Sequence, residues 1–293
     1  MRKRTMRPGV RQGKPIGSNA GLESAYRRKL DELVRDMSDS MIYWLRAEYR
    51  KQEPRIEAYN EPSARVPDRS VPAPRVTGDA SPVSDLLDRL RKQRRRWIRR
   101  FNERADAVAD WFSRAALRSA DTQTKASLSE LAGFTVQFQS NRALDTVLQS
   151  TIAENVALIK SIPQQYALEV EGIVMRGVRE GRNLGFVTDE LQHRYEITSR
   201  RANTIARDQT HKAMQSMSRA RLKQNGITRA TWVHVGGTTD PRPSHVAAHG
   251  QEFDIAEGLE IEGEKIFPGE KINCRCRMRP VVASFSASKG GRV

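Results

Sequence analysis

The feature that most constrains this chain is a change of hydrophobic period at Gly226. Before it, Ala202, Ile205, Ala206, Ala213, Met217 and Ala220 recur at three-, four- and seven-residue steps, the apolar stripe of an amphipathic helix. Thr198 offers a side-chain acceptor for an N-cap, and Gly226 suits the left-handed residue after the last turn. The spacing predicts a helix of about 27 residues, roughly 40 Å long at the usual rise. After Gly226 the stretch Thr231-Trp232-Val233-His234-Val235 alternates and is β-branched, so it predicts a strand, ended by Gly236-Gly237. A chain that switches from period 3.6 to period 2 across one glycine is expected to be α+β. The predicted architecture is a mainly helical, elongated N-terminal part with a long helix leading into a small C-terminal β-rich module.

Within that module Pro241 and Pro243 stiffen an entry, Ser244 is placed to cap one or two helical turns, and Gly250 closes them. The segment 259–267 has a hairpin pattern about Glu262-Gly263-Glu264. If the last stretch is a strand, Ile272, Cys274, Cys276 and Met278 share one face, and Arg275, Arg277 and Arg279 the other.

Upstream, the chain divides by composition. Residues 1–20 are basic and rich in Gly, Pro and Ser, and predict a flexible arm. Residues 21–51 predict an amphipathic helix on the stripe Leu22, Tyr26, Leu30, Leu33, Val34, Met37, Met41, Trp44 and Leu45. Residues 52–83 hold Pro54, Pro62, Pro67, Pro72, Pro74 and Pro82 and read as an extended linker. Residues 84–185 form a helical domain: a helix with the seam Leu87, Leu90, Trp97, Phe101, Ala105, Val108 and Phe112, a short strand at 134–138, then two helices parted by Pro163. Residues 186–293 complete the chain, with Thr188 capping a short helix ahead of the long one.

Charge is strong and uneven. Of a net +16, residues 1–100 hold +12, from 25 Lys and Arg against 13 Asp and Glu. Between residues 89 and 100 stand Arg89, Arg91, Lys92, Arg94, Arg95, Arg96, Arg99 and Arg100. Guanidinium groups on a helix reach phosphate oxygens with a salt-sensitive, sequence-independent affinity, so duplex DNA is the expected partner. The alternative is a solvated face paired with acidic neighbours. Trp97 lies on the apolar seam and is expected in the core. Two cysteines one residue apart cannot make a disulfide framework and fit a reducing compartment. No apolar run is long enough to span a membrane, and the basic N-terminus lacks the apolar core of a secretory signal.

Several pieces, in order, resemble the C-terminal domain of the Mu F-like minor head (head morphogenesis) proteins of tailed bacteriophages. They are Ile205-Ala206-Arg207-Asp208-Gln209, Asn225-Gly226-Ile227, the Trp232 strand, Arg242-Pro243-Ser244-His245 with His249-Gly250, and Pro268-Gly269-Glu270 before Ile272-Asn273-Cys274-Arg275-Cys276. The resemblance implies a portal-associated virion protein of the capsid interior or portal vertex, made in the host cytoplasm. It would act in head morphogenesis and in packaging or delivery of double-stranded DNA, with the portal protein and other head proteins as partners. Arg207, Asp208, Gly226, Trp232, Asp240, Arg242, Gly250 and Asn273 would be its structural motif residues. Many members carry a Cys-x-x-Cys pair where this chain has Pro243, Ser244, His245 and His249.

His245 and His249 are four apart on a predicted turn of helix, which puts both rings on one face, and Cys274 and Cys276 share a face of a predicted strand. Two His and two Cys suffice for a structural Zn²⁺. The other reading makes the cysteines small buried residues and the histidines polar surface groups, with His234 structural. Asp240 with Arg242, and Arg207 with Asp208, are expected to be local ion pairs that hold the fold. A metal-dependent enzyme built on Asp240, the histidines and the cysteines is a rival class, as is a general, non-specific DNA-binding protein. The chain has no His-Glu-x-x-His, no Gly-x-Ser-x-Gly and no phosphate-cradling glycine loop, so no enzyme is expected.

Overall fold

The computed structural model describes residues 10–60, 82–132, 136–180, 184–236 and 240–283. In chain order the elements are β1 (Val10–Gln12), α1 (Ala20–Asn60), α2 (Pro82–Ala132), α3 (Arg142–Arg179), α4 (Leu184–Gln224), β2 (Arg229–Val233), α5 (Pro243–Ala247), β3 (Glu252–Asp254), β4 (Leu259–Ile261), β5 (Glu264–Ile266) and β6 (Arg277–Ala283). The class is α+β and mainly helical, with a small antiparallel β module at the C-terminal end.

The chain forms two compact units. One contains Met1–Arg27, Ala107–Asn155 and Thr204–Val293; the other contains Arg28–Asp106 and Val156–Asn203. The second unit is built from segments of α1, α2, α3 and α4. Its core takes Leu30, Leu33, Val34, Met37, Met41 and Leu45 from α1, all buried as the stripe predicts. From α2 come Leu86, Leu90, Trp97, Phe101 and Ala105, so Leu86 rather than Leu87 faces inward. Two side-chain hydrogen bonds stitch these helices: the Trp97 indole N–H donates to Ser40 Oγ at 3.3 Å, and the Tyr166 hydroxyl to the buried Ser38 Oγ at 3.1 Å. Helix α1 continues through Pro54 to Asn60, past the point where the linker is expected to begin; of that segment, 61–81 lie outside the described residues.

The first unit carries the β module. Its sheet has the order β1-β6-β2-β3, antiparallel throughout, and β4-β5 form a separate hairpin. Glu262 (φ 56) and Gly263 (φ 80) make the two-residue turn expected there. In the central register Trp232 stands opposite Met278, and both are fully buried among Ile16, Leu222, Phe253 and Ile255. Helix α4 ends in a Schellman motif, with the Ile227 N–H bonded to the Leu222 carbonyl and Gly226 at φ 71, as its glycine foretells. Away from the sheet the buried Tyr26 hydroxyl donates to Asn155 Oδ1 at 2.9 Å, and the Asn155 amide donates to Gln209 Oε1 at 3.0 Å.

Four sequence expectations need correction. Residues 10–19 are not a flexible arm, because β1 pairs with β6, Ile16 is fully buried, and the Gln215 side chain donates to the Ile16 carbonyl. Thr188 and Thr198 do not cap helices; each hydroxyl donates back to the carbonyl four residues earlier inside a continuous α4. Pro163 does not part α3, which runs on through it. Of the strand expected at 134–138, residues 136–138 are irregular, and 134 and 135 lie outside the described residues.

Candidate metal centre and basic helix face

The metal-ligand candidates sit where three local structures meet. Strand β2 delivers His234 immediately past Val233. Extending the register Val233↔Arg277 by one residue sets His234 opposite Cys276. Helix α5 has Pro243 in its first turn, where the missing N–H costs nothing, and buries His245 in that turn. The Trp232 indole meets the His245 ring edge-on at 5.3 Å. Ser244 lies inside the helix and caps nothing; Arg242 occupies the N-cap without a side-chain bond.

The third piece is the loop that carries the cysteines. Gly269 (φ 81) approaches α4 so closely that a Cβ would stand 2.8 Å from Gln215, so only glycine fits there. Its N–H points at Cys274 Sγ, 3.4 Å away. Asn273 is left-handed (φ 60), which turns Ile272 out into solvent while Cys274, Cys276 and Met278 stay buried. The expected strand face therefore holds for three of its four residues, and β6 itself begins only at Arg277.

The motif residues hold this loop together, although not as the expected pairs. The Asn273 N–H donates to Asp208 Oδ1 at 2.8 Å, the Arg207 guanidinium donates to Asn273 Oδ1 at 2.8 Å, and Arg242 donates to the Ile272 carbonyl at 3.1 Å. Asp208 also pairs with Lys212 at 3.0 Å. Arg207 and Asp208 thus converge on Asn273 instead of on each other. Among the described residues Asp240 makes no ion pair with Arg242. Gly250 (φ 78) donates its N–H to the Trp232 carbonyl, which fastens the end of α5 to β2.

This framework brings three of the four predicted ligands together. His245 Nδ1 lies 3.4 Å from Cys274 Sγ and 3.7 Å from Cys276 Sγ, and the three ligand atoms all fall within 4.8 Å of one another. Both cysteines are free thiols. Cys274 is held below the usual thiol range, chiefly by a hydrogen bond from Cys276 and also by the Gly269 N–H, so it is the thiol poised to be a thiolate. Two sulfurs and an imidazole in a buried pocket can bind a thiophilic divalent metal.

His249 is the ligand that does not join. Helix α5 stops at Ala247, so the four-residue spacing is not helical to its end; His249 is exposed and its Nδ1 accepts the His234 N–H at 3.1 Å. Sequence reasoning missed His234 instead, whose Nδ1 lies 3.8 Å from Cys276 Sγ. The signal for it was strand alternation, which puts residues 232 and 234 on one face.

The eight basic residues at 89–100 sort into two groups. Arg89 pairs with Glu48 at 2.7 Å, Arg91 and Arg94 reach Glu171 at 3.9 Å, and Arg100 lies over the Trp97 ring. Lys92, Arg95 and Arg96 have no carboxylate partner among the described residues, and Arg99 meets only Glu103 at 3.8 Å with three-quarters of its side chain exposed. Lys92, Arg95, Arg96 and Arg99 fall at i, i+3, i+4 and i+7, so these charges, of which only Arg99 meets a carboxylate, form one exposed helix face. Trp97 is buried, as its seam position predicts.

Residues 168–279 match the family model described as Phage Mu protein F like protein. An uncharacterized protein of Haemophilus influenzae (strain Rd) is 24% identical over 277 residues, which cover 93% of this chain and 56% of the relative. The chain thus spans little more than half the length of that curated relative. No solved structure matches. Among the described residues no helix is long and apolar enough to cross a membrane. The match takes in the end of α3, all of α4 and the cysteine loop with its Arg207, Asp208 and Asn273 clasp, and over these residues the chain is similar to the Mu F-like proteins.

Proposed function

We propose that this protein is a minor head protein of a tailed bacteriophage, associated with the portal and acting in head morphogenesis and in packaging or delivery of DNA. The observation that carries this reading is the Mu F-like match over 168–279, in which Arg207, Asp208, Arg242 and Asn273 all serve one loop. Its partners are the portal protein, other head proteins and packaged double-stranded DNA. Its place is the capsid interior or portal vertex, after synthesis in the host cytoplasm. The role is structural and not enzymatic, as befits a family of head proteins.

The DNA contact is supported by the exposed face of Lys92, Arg95, Arg96 and Arg99, whose charges can each neutralise a phosphate and release a counterion. That same face favours a second reading, a non-specific DNA-binding protein that works without any phage partner. Particle composition separates the two. Purified virions of a phage encoding this chain should contain it in a few copies, and it should co-elute with the portal protein on co-expression. A chain that binds duplex DNA but is missing from virions is the second kind of protein.

The trio His245, Cys274 and Cys276 supports a structural Zn²⁺, which would join α5 to the cysteine loop in a module with a small core. Metal content of the purified chain tests this reading, with zinc expected in a one-to-one ratio. Chelation should loosen the β module; a metal-dependent enzyme would instead lose turnover on His245→Ala while staying folded.

A further inference from the structure

We propose that His234 supplies the fourth ligand, closing a tetrahedral two-His, two-Cys site for a single Zn²⁺ at the cysteine loop. This rests on reading the buried trio as a metal site, and it names the ligand that the trio lacks. A structural zinc takes four protein ligands, because an open fourth position belongs to catalytic sites that hold water.

Distances carry the argument. With zinc–sulfur bonds of about 2.3 Å and zinc–nitrogen bonds of about 2.05 Å at tetrahedral angles, sulfur and nitrogen ligands stand about 3.6 Å apart. The separations are 3.4 Å for Cys274 with His245, 3.7 Å for Cys276 with His245, and 3.8 Å for Cys276 with His234. These three pairs are spaced as ligands of one ion are; His234 reaches Cys276 but lies outside the 4.8 Å cluster of the other three ligand atoms, so its ring has to move inward when the ion binds. His234, His245, Cys274 and Cys276 line one cavity of about 40 Å³. That space exceeds the roughly 10–15 Å³ a water molecule requires.

The backbone explains why His234 and not His249 completes the set. His234 continues β2 directly opposite Cys276, on the same face as the buried Trp232. Among the described residues its ring has no hydrogen-bonding neighbour other than the Cys276 sulfur. His249 is exposed, and its Nδ1 holds the His234 N–H at 3.1 Å. It does not line the cavity that the other two histidines and the cysteines share.

Thiolates select against hard cations such as Mg²⁺ and Ca²⁺, and a two-sulfur, two-nitrogen tetrahedron is the preference of Zn²⁺. The ion would tie together three separate pieces of chain: the end of β2, the first turn of α5 and the loop before β6.

The test uses the full chain, loaded with Zn²⁺ or with Co²⁺ as a spectroscopic stand-in, in four forms: native, His234→Ala, His234→Cys and His249→Ala. The native chain should hold one metal ion and give the intense visible bands of tetrahedral, thiolate-bound Co²⁺. His234→Ala should surrender its metal to a chelator at least about tenfold more readily, with altered Co²⁺ bands. His234→Cys should restore retention with a stronger sulfur-to-cobalt band, which a merely structural role for His234 would not produce. His249→Ala should keep the tetrahedral spectrum. If the native chain binds neither ion, the trio is no metal site and the proposal falls with it. If it binds metal while His234→Ala leaves spectrum and retention unchanged, or if His249→Ala removes them, the trio stands and His234 is not the ligand.

Discussion

Asp208 accepts the backbone N–H of Asn273 at 2.8 Å across 65 residues of sequence, with its carboxylate nine-tenths buried. A left-handed Asn273 is what frees that N–H to point at α4, and Arg207 holds the Asn273 side chain from the neighbouring position. Losing the carboxylate leaves a buried donor without its charge-assisted bond, at a cost of about 1.5–3 kcal/mol. Asp208→Ala should lower unfolding stability by that amount and speed amide exchange at Asn273 and Cys274. Unchanged exchange there would mean that the loop is held by something else.

A second long-range pair ties α4 to α2. Arg221 forks onto Asp121, with Nε to Oδ1 at 2.6 Å and Nη2 to Oδ2 at 2.9 Å, and its side chain is only 5% exposed. Removing one partner of such a pair strands the other, so Asp121→Ala should cost about 3 kcal/mol. Arg221→Leu combined with Asp121→Leu should recover part of that loss. Chemical denaturation of Asp121→Leu, Arg221→Leu and the double variant measures the coupling.

His211 makes stability depend on pH. Burial pushes its imidazole down to about 4, and the nearby Arg275, Arg277 and Arg207 push the same way against Asp208. A histidine with a depressed folded value binds its proton more readily when unfolded. Its neutral form therefore supports the fold above about pH 6.5, and that support is lost as pH falls toward 4. The loss is about 3 kcal/mol at most. Urea unfolding of wild type and His211→Gln between pH 7.5 and 4 should show the wild type falling more steeply; parallel curves would exclude His211 as the source.

The basic helix face gives a salt-dependent outcome. Changing Lys92, Arg95, Arg96 and Arg99 together to Gln should reduce the slope of log affinity for duplex DNA against log salt by about 3–4. These side chains are exposed, so melting should barely move. Changing Arg89 and Arg94, which are occupied by Glu48 and Glu171, should alter the slope less and the stability more. Equal slope changes in both variants would remove the distinction between free and paired arginines.

Much of this molecule is legible in its residues alone. Periodic burial names the helices because one apolar stripe must face inward, and most of the α1 stripe is found in the core. Glu262-Gly263 specifies its hairpin and Gly226 its helix end, since left-handed backbone is a local property. Charge density at 89–100 is visible in the same way, but which arginines remain unpaired depends on Glu48 and Glu171, carried by other helices. Only the tertiary structure decided that Arg207 and Asp208 meet at Asn273, that residues 10–16 edge the sheet, and that His234 takes the place beside Cys276 expected for His249. Those choices are set by strand register and by where α5 stops, and both arise from packing between segments far apart in the chain.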